Sequence, residues 1–237
     1  MAYNRDFIRH DSPMDAKYRQ PCAQRWHTFK AALSIASQRV RSEGGIWIME
    51  TGCVREPNDW GGGMSTVIFG DYCSRYGGQV VTIDNSAEHL ARCEKLTAEY
   101  GTLIRRVEAD SAVFLADDAW GFPVDLLYLD ALDYPYGKLM DLYGGKTDIA
   151  KAQAVLAAMP EAEIVQKHGH IIMASQEHAL AEVQAARASG ILGDRTVLLI
   201  DDASIPGGGK ARLANQWLAA NGWECVLEDY QVLWVRA

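Results

Sequence analysis

Three apolar runs in this sequence end on aspartate, and that repetition restricts the possible folds more than any other feature. VVTID closes on Asp84, VDLLYLD on Asp130, and TVLLIDD on the pair Asp201–Asp202. Continuous Val, Ile and Leu runs read as strands buried on both faces, as in a parallel sheet covered by helices on each side. A carboxylate at the end of such a strand is costly unless something pairs with it. The carboxyl ends of parallel strands are also where α/β sheets bind their ligands. The runs therefore place four acids on one rim, the pattern of a hydroxyl-binding acid beside a hard cation site.

Helical periods separate the strands. Trp26, Phe29, Leu33, Ala36 and Val40 fall on one face of a helix running from Pro21 to Gly44–Gly45, after an arm of little periodicity over residues 1–20. IWIMET (46–51) is a first strand. Ser65 to Tyr76 is a helix closed by Gly77–Gly78, and Ser86 caps a helix that stops at Gly101. LIRRVEA (103–109) is a further strand. This alternation specifies a Rossmann-like, doubly wound α/β fold with a mostly parallel sheet. Residues 137–174 break the rhythm with a helix-like TDIAKAQAVLAAMP and a β-like EIVQKHGHIIM, which reads as an insertion at the rim, either a lid or an oligomer contact. Ser175 then opens a helix, KARLANQWLAANG (210–222) is the last one, and WECVLED and YQVLWVRA form a hairpin that brings an antiparallel strand into the sheet. The organisation is an arm and helix over 1–45, then one domain over 46–237.

Composition excludes several function classes. The chain has 237 residues, 49% of them apolar, enough for the core of one α/β domain. No apolar stretch approaches the ~20 residues of a membrane span, and MAYNRDFIRHDSPMD has no apolar leader. Five cysteines without a CxxC pair read as reduced thiols, so the expectation is a cytoplasmic protein without membrane contact. Residues 1–42 hold eight Lys and Arg against three Asp and Glu, yet the whole chain carries a net charge of −8. That acidic body argues against nucleic acid as a partner. A small-molecule substrate is expected, and a homo-oligomer is compatible with the sequence.

Between the first strand and its helix lie Glu50-Thr51-Gly52 and the triplet Gly61-Gly62-Gly63. Glycines there let backbone approach a ligand closely and leave helix N–H groups free to bind it. A nicotinamide loop would be compact, G-x-G-x-x-G; here ten residues intervene, and Glu50 suits an amino-acid-bearing or cationic ligand better than a pyrophosphate. Asp84 sits where an acid takes ribose hydroxyls in dinucleotide and adenosyl folds alike, and Asp110–Ser111 could contact an adenine. Asp130, Asp201 and Asp202 offer hard oxygens suited to Mg²⁺, Mn²⁺ or Ca²⁺ rather than zinc, although a helix cap accounts equally for any one of them. His178 is either a base or metal neighbour, or an ordinary first-turn histidine. His168 and His170 lack an evident third ligand, and Trp60 in the Gly-rich loop is either a core ring or a cover over the cofactor.

The order ETG…GGGMS, VVTID, EADS, LLYLDALDY, LLIDDASIPGGGK resembles the class I S-adenosylmethionine-dependent methyltransferases. Within them it is most similar to the metal-dependent O-methyltransferases of the catechol and macrolide- or aminocoumarin-sugar type, over roughly residues 46–136 and 175–237. The resemblance implies a seven-stranded sheet with a reversed final hairpin and methyl transfer to a hydroxyl of a small molecule. It implies methionine-end contacts near Glu50, Gly52 and Ser65, ribose contacts at Asp84, adenine contacts near Asp110 and Ser111, and metal ligation by Asp130, Asp201 and Asp202. Catechol-type relatives carry Asn as the second paired metal residue, so the Asp-Asp here is closer to the sugar enzymes. They also carry a Lys base three residues after the first metal aspartate, where this chain has Asp133; Asp133 or His178 is then the expected general base.

Overall fold

A computed structural model of the chain describes residues 12–40, 45–60 and 64–236. The expected Gly61–Gly63 cradle and the first part of the N-terminal arm lie outside the described residues. Helices α1 (Pro13–Tyr18) and α2 (Trp26–Arg39) precede β1 (Ile46–Thr51), α3 (Ser65–Tyr76), β2 (Gly78–Asp84), α4 (Ala87–Leu96) and β3 (Ile104–Glu108). There follow α5 (Ser111–Ala116), β4 (Leu126–Leu129), α6 (Tyr136–Leu142), α7 (Ile149–Ala158) and α8 (Glu161–Ala188). The chain ends with β5 (Val197–Ile200), α9 (Arg212–Ala220), β6 (Trp223–Glu228) and β7 (Val232–Arg236).

The seven strands form one sheet in the order β3-β2-β1-β4-β5-β7-β6. All pairs are parallel except those of β7, which runs antiparallel to both β5 and β6. This is the Rossmann-like fold with a reversed C-terminal hairpin. Side chains alternate across each strand, and the apolar runs feed two cores. Leu126 and Tyr128 of β4 join Phe29, Phe69 and Tyr72 on one face, while Leu127 and Leu129 join Val183, Ala186 and Leu218 on the other. The strand order reverses between β1 and β4, the position at which open α/β sheets form a ligand crevice. Register matters here: Ile83 pairs with Thr51, Thr51 with Leu129, and Leu129 with Ile200. The next residue on each strand is Asp84, Gly52, Asp130 and Asp201, so four positions far apart in sequence meet in one row.

Two expectations need correction. Residues 163–173, read as β-like, belong to α8, one helix of 28 residues that begins at Glu161. Its buried positions, Ile164, Ile172, Ser175, Ala179, Val183 and Ala186, keep helical spacing throughout; the long amphipathic period overrides the local preference of Ile and Val for strands. Ser175 is therefore not an N-cap but a mid-helix residue whose hydroxyl donates to the Ile172 carbonyl at 2.9 Å. The second concerns the arm of little periodicity expected over residues 1–20, whose described part holds helix α1. Ser12 caps α1, and Met14 and Tyr18 are fully buried against the core. Residues 137–174 pack around a small separate cluster of Tyr134, Leu139, Leu156, Ile164 and Ile172. No helix among the described residues is long and apolar enough to cross a membrane.

Tyr18 tests the corrected N-terminal reading. It stacks against Trp26 and donates to Asp71 at 2.8 Å. Tyr18→Ala is expected to cost about 3–5 kcal/mol, as for other aromatic truncations in a core, and Tyr18→Phe only about 1 kcal/mol. Urea unfolding followed by circular dichroism distinguishes this from a loose arm, for which neither substitution would move the midpoint.

Candidate functional site

A narrow cleft with a cavity volume of about 100 Å³, open to solvent, lies at the carboxyl ends of β1 to β4. Gly52, Ser65, Asp84, Asp110, Ser111, Asp130 and His178 all line it, so seven of the residues singled out in the sequence converge. Gly52 has φ +82°, and a Cβ there would lie 2.6 Å from the Asp130 carbonyl oxygen. Only glycine lets the chain turn out of β1 against β4 at this point. Asp84 is held in place by the Ser86 N–H at 2.8 Å and His89 Nδ1 at 3.2 Å, both on Oδ1, while Oδ2 meets the Cys53 thiol at 3.5 Å. Asp110 caps α5 by accepting from the Val113 N–H, and Ser111 Oγ lies 3.0 Å from His178 Nε2. Cys53, Arg55, Asn85 and His89 complete the wall and carried no recognisable sequence signal.

Glu50 lies beneath this cleft, fully buried, and among the described residues neither carboxyl oxygen has a hydrogen-bond partner. Alternation along β1 points it toward the first turn of α3 and Thr82 of β2. Burial pushes its carboxyl up to about 8, against the opposing pull of the nearby Thr66, Ser65 and Thr82 hydroxyls. A buried acid without a cationic partner among the described residues is ready to receive a cationic donor.

The second feature is an acid cluster at the ends of β4 and β5. Carboxylate oxygens of Asp130, Asp201 and Asp202 lie within 4.8 Å of one another, as the strand register requires. Sequence reasoning missed the two cations that fill it. Arg25, from the N-terminal end of α2, bonds Asp201 through Nε and Nη2, both at 2.9 Å. Lys210 bonds Asp130 and stands 3.8 Å from Asp202. Gln231 donates to Asp201 at 2.9 Å, Tyr230 to Asp202 at 2.6 Å and Tyr128 to Asp130 at 3.3 Å. Burial raises the Asp201 carboxyl, but the charge and hydrogen bonds of Arg25 outweigh it and leave the group below the usual carboxylate range. Burial disfavours the Lys210 ammonium, and the carboxylates of Asp130, Asp202 and Asp201 more than compensate.

By donor chemistry the three aspartates suit a hard divalent ion. By occupancy they do not, because each of their six oxygens already faces an N–H, an O–H or an ammonium. Asp201 and Asp202 are not among the residues that line the cleft; Asp130 alone belongs to both features.

The two base candidates differ in setting. Asp133 is 68% exposed and paired with Arg55 at 3.2 Å. His178 is on α8, faces the cleft, and stands 3.5 Å from the buried Glu182. The Glu182 carboxylate 3.5 Å away raises the His178 pKa, burial and Lys210 oppose it, and Asp110 adds to the rise. His168 bonds Tyr143 at 2.7 Å, and Trp60 packs against the Tyr18 ring. Among the described residues, only the aspartate triad groups three side chains able to hold a metal.

No family model matches this chain, and no curated protein matches it. Solved structures do share its fold. The SAH-bound methyltransferase PaMTH1 of Podospora anserina superposes with TM-score 0.52 at 12% identity, covering 100% of this chain and 97% of that one. The O-methyltransferase from Bacillus cereus in complex with SAH superposes with TM-score 0.51 at 14% identity, covering 97% and 93%. At such identities the likeness is one of fold.

Glu50 makes the stability of the free protein fall as pH rises. Its folded pKa is about 8 against the 4.5 of an ordinary glutamate, so the unfolded state gives up its proton first and stability declines between these two values. Glu50→Gln is expected to flatten that decline and to stabilise the ligand-free chain at pH 8 by a few kcal/mol. Urea midpoints across pH 5–8 that fall equally in both proteins would refute the assignment.

Proposed function

We propose that this chain is an S-adenosylmethionine-dependent methyltransferase that alkylates a hydroxyl of a small molecule. The observation that carries this reading is the cleft at the sheet's switch point, where Gly52, Asp84 and Ser111 follow three adjacent strands in the order a methionine end, a ribose and an adenine would need. The backbone at Gly52 is bare enough for close approach. The ammonium of the methionine end would find the carboxyl oxygens of Glu50. The ribose diol would find Asp84, already oriented by Ser86 and His89. A buried carboxyl two residues before the glycine suits a pyrophosphate poorly, which disfavours a nicotinamide dinucleotide.

In this arrangement the transferred methyl group would point along the cleft toward Asp130 and His178, the acceptor side. The chain's contribution is to align the acceptor oxygen with the carbon–sulfur bond and to receive the proton. His178 is the better-placed base: it faces the cleft, and Ser111 and Glu182 fix its ring, whereas Asp133 is mostly exposed and already paired with Arg55. A Mg²⁺ or related ion would be held, if anywhere, by Asp130, Asp201 and Asp202, where it would polarise the acceptor oxygen. Since Lys210 and Arg25 engage those oxygens, no step of this reading passes through a metal.

Isothermal calorimetry should show micromolar binding of S-adenosylmethionine and S-adenosylhomocysteine and none of NADH. Asp84→Ala should weaken that binding by about 1.5–3 kcal/mol, the scale of hydrogen bonds to a charged group. Binding of NADH in place of the adenosyl compounds would overturn the proposal.

The base assignment predicts a pH profile. Glu182 holds the proton on His178, so kcat/KM should rise with pH along a limb centred above the 6.5 of an ordinary histidine. Glu182→Gln should move that limb to lower pH, and His178→Gln should abolish it. A limb that ignores both substitutions would assign proton transfer to another group, Asp133 first.

A further inference from the structure

We propose that Lys210 is the resident cation of the acid cluster: with Arg25 it closes Asp130, Asp201 and Asp202 to divalent ions, and its removal would open a divalent site. The inference stands on the cluster alone and holds whether or not the cleft takes an adenosyl ligand.

The loop before Lys210 is built to deliver it. Gly207, Gly208 and Gly209 all have positive φ, at 86°, 78° and 56°. A Cβ on Gly209 would lie 1.7 Å from the Asp202 carbonyl oxygen, so no other residue could follow this path. The Lys210 N–H then bonds that same carbonyl at 3.1 Å. From the opposite side, Gln176 of α8 donates to the Gly207 and Gly209 carbonyls at 3.0 and 2.9 Å. A loop clamped on both flanks holds its lysine inward, and Lys210 is only 2% exposed.

Charge and geometry agree with this role. Three carboxylates and two fixed cations leave one net negative charge, which gives a divalent ion little to gain. Such an ion needs several oxygens at 2.0–2.6 Å, and it would have to expel a buried ammonium to reach Asp130 and Asp202. Arg25 is no easier to displace: its guanidinium grips both Asp201 oxygens and lies 4.3 Å over the Tyr230 ring. Ammonium and magnesium thus compete for one position, and the fold supplies the ammonium covalently.

Mn²⁺ titration followed by electron paramagnetic resonance, with thermal melts in EDTA and in Mg²⁺, tests this on the full chain. The wild type should bind no Mn²⁺ at the cluster and melt at the same temperature in both buffers. Lys210→Ala, which empties the position and leaves three carboxylates against one cation, should bind one Mn²⁺ per chain and gain Tm with it. Adding Asp202→Asn to that variant should weaken the acquired site. Lys210→Arg, which keeps the charge, should stay closed. If the alanine variant does not fold, Lys210→Ser serves the same arm. One Mn²⁺ bound per wild-type chain and lost on Asp130→Asn, or no Mn²⁺ gained on emptying the position, would overturn the proposal.

Discussion

The buried pair between Arg25 and Asp201 is the interaction on which the rest of the structure leans. Parallel register sets Asp130 and Asp201 side by side at the ends of β4 and β5, and the chain continues directly into Asp202. Three carboxylates in a buried setting repel one another and lose hydration, a combination that would open the sheet end if nothing answered it. Arg25 answers from α2, with both ion-pair bonds at 2.9 Å. Removing one partner of such a pair typically costs about 3–5 kcal/mol, because the other charge is left buried and alone. Docking of α2 on one face of the sheet therefore also supplies the charge that neutralises Asp201.

Helix α8 joins the remaining parts. Its first half carries Ile164 and Ile172 into the small core of the 137–174 segment, and its middle carries Gln176 to the glycine loop. Two residues later His178 reaches Ser111 in the cleft, and one turn beyond that Glu182 braces His178. Val183 and Ala186 then pack against the sheet. One continuous helix thus connects the 137–174 segment, the glycine loop and the cleft wall. Asp130 supplies the other connection: its carbonyl limits position 52 to glycine, and its carboxylate holds Lys210.

Much of this was legible in the sequence because it is local. A strand buried on both faces shows as an unbroken apolar run, and its terminal aspartate marks the rim; Asp84, Asp130 and Asp201 needed nothing more. The hairpin of β6 and β7 was equally plain. Helix α8 was obscured because Ile164, Val165, Ile171 and Ile172 favour strands over a short window, while its helical stripe emerges only across all 28 residues. Helix α1 has six residues, too few for a period to declare itself. The cations of the cluster were illegible for another reason. Arg25 lies 176 residues from Asp201 and Lys210 lies 80 from Asp130, and such pairings leave no mark in spacing. Only the three glycines before Lys210 hinted that the backbone there follows an unusual path.

A neutralised cluster also makes chemical sense for the proposed reaction. The sulfonium of S-adenosylmethionine is positive in the ground state and loses that charge as the methyl leaves. Carboxylates aimed at it would stabilise the ground state more than the transition state and so slow the transfer. Asp130 stands on the wall where the methyl would travel, and an unpaired carboxylate there would impose that penalty. The Lys210 ammonium draws Asp130 into an ion pair and leaves the wall weakly charged. Asp84, by contrast, lies at the end of β2, where in the proposed reading its charge would bind ribose hydroxyls at a distance from the reacting carbon. In that reading the same residue type would serve opposite ends of one cleft, as a ligand contact at one strand terminus and held in an ion pair at the next but one.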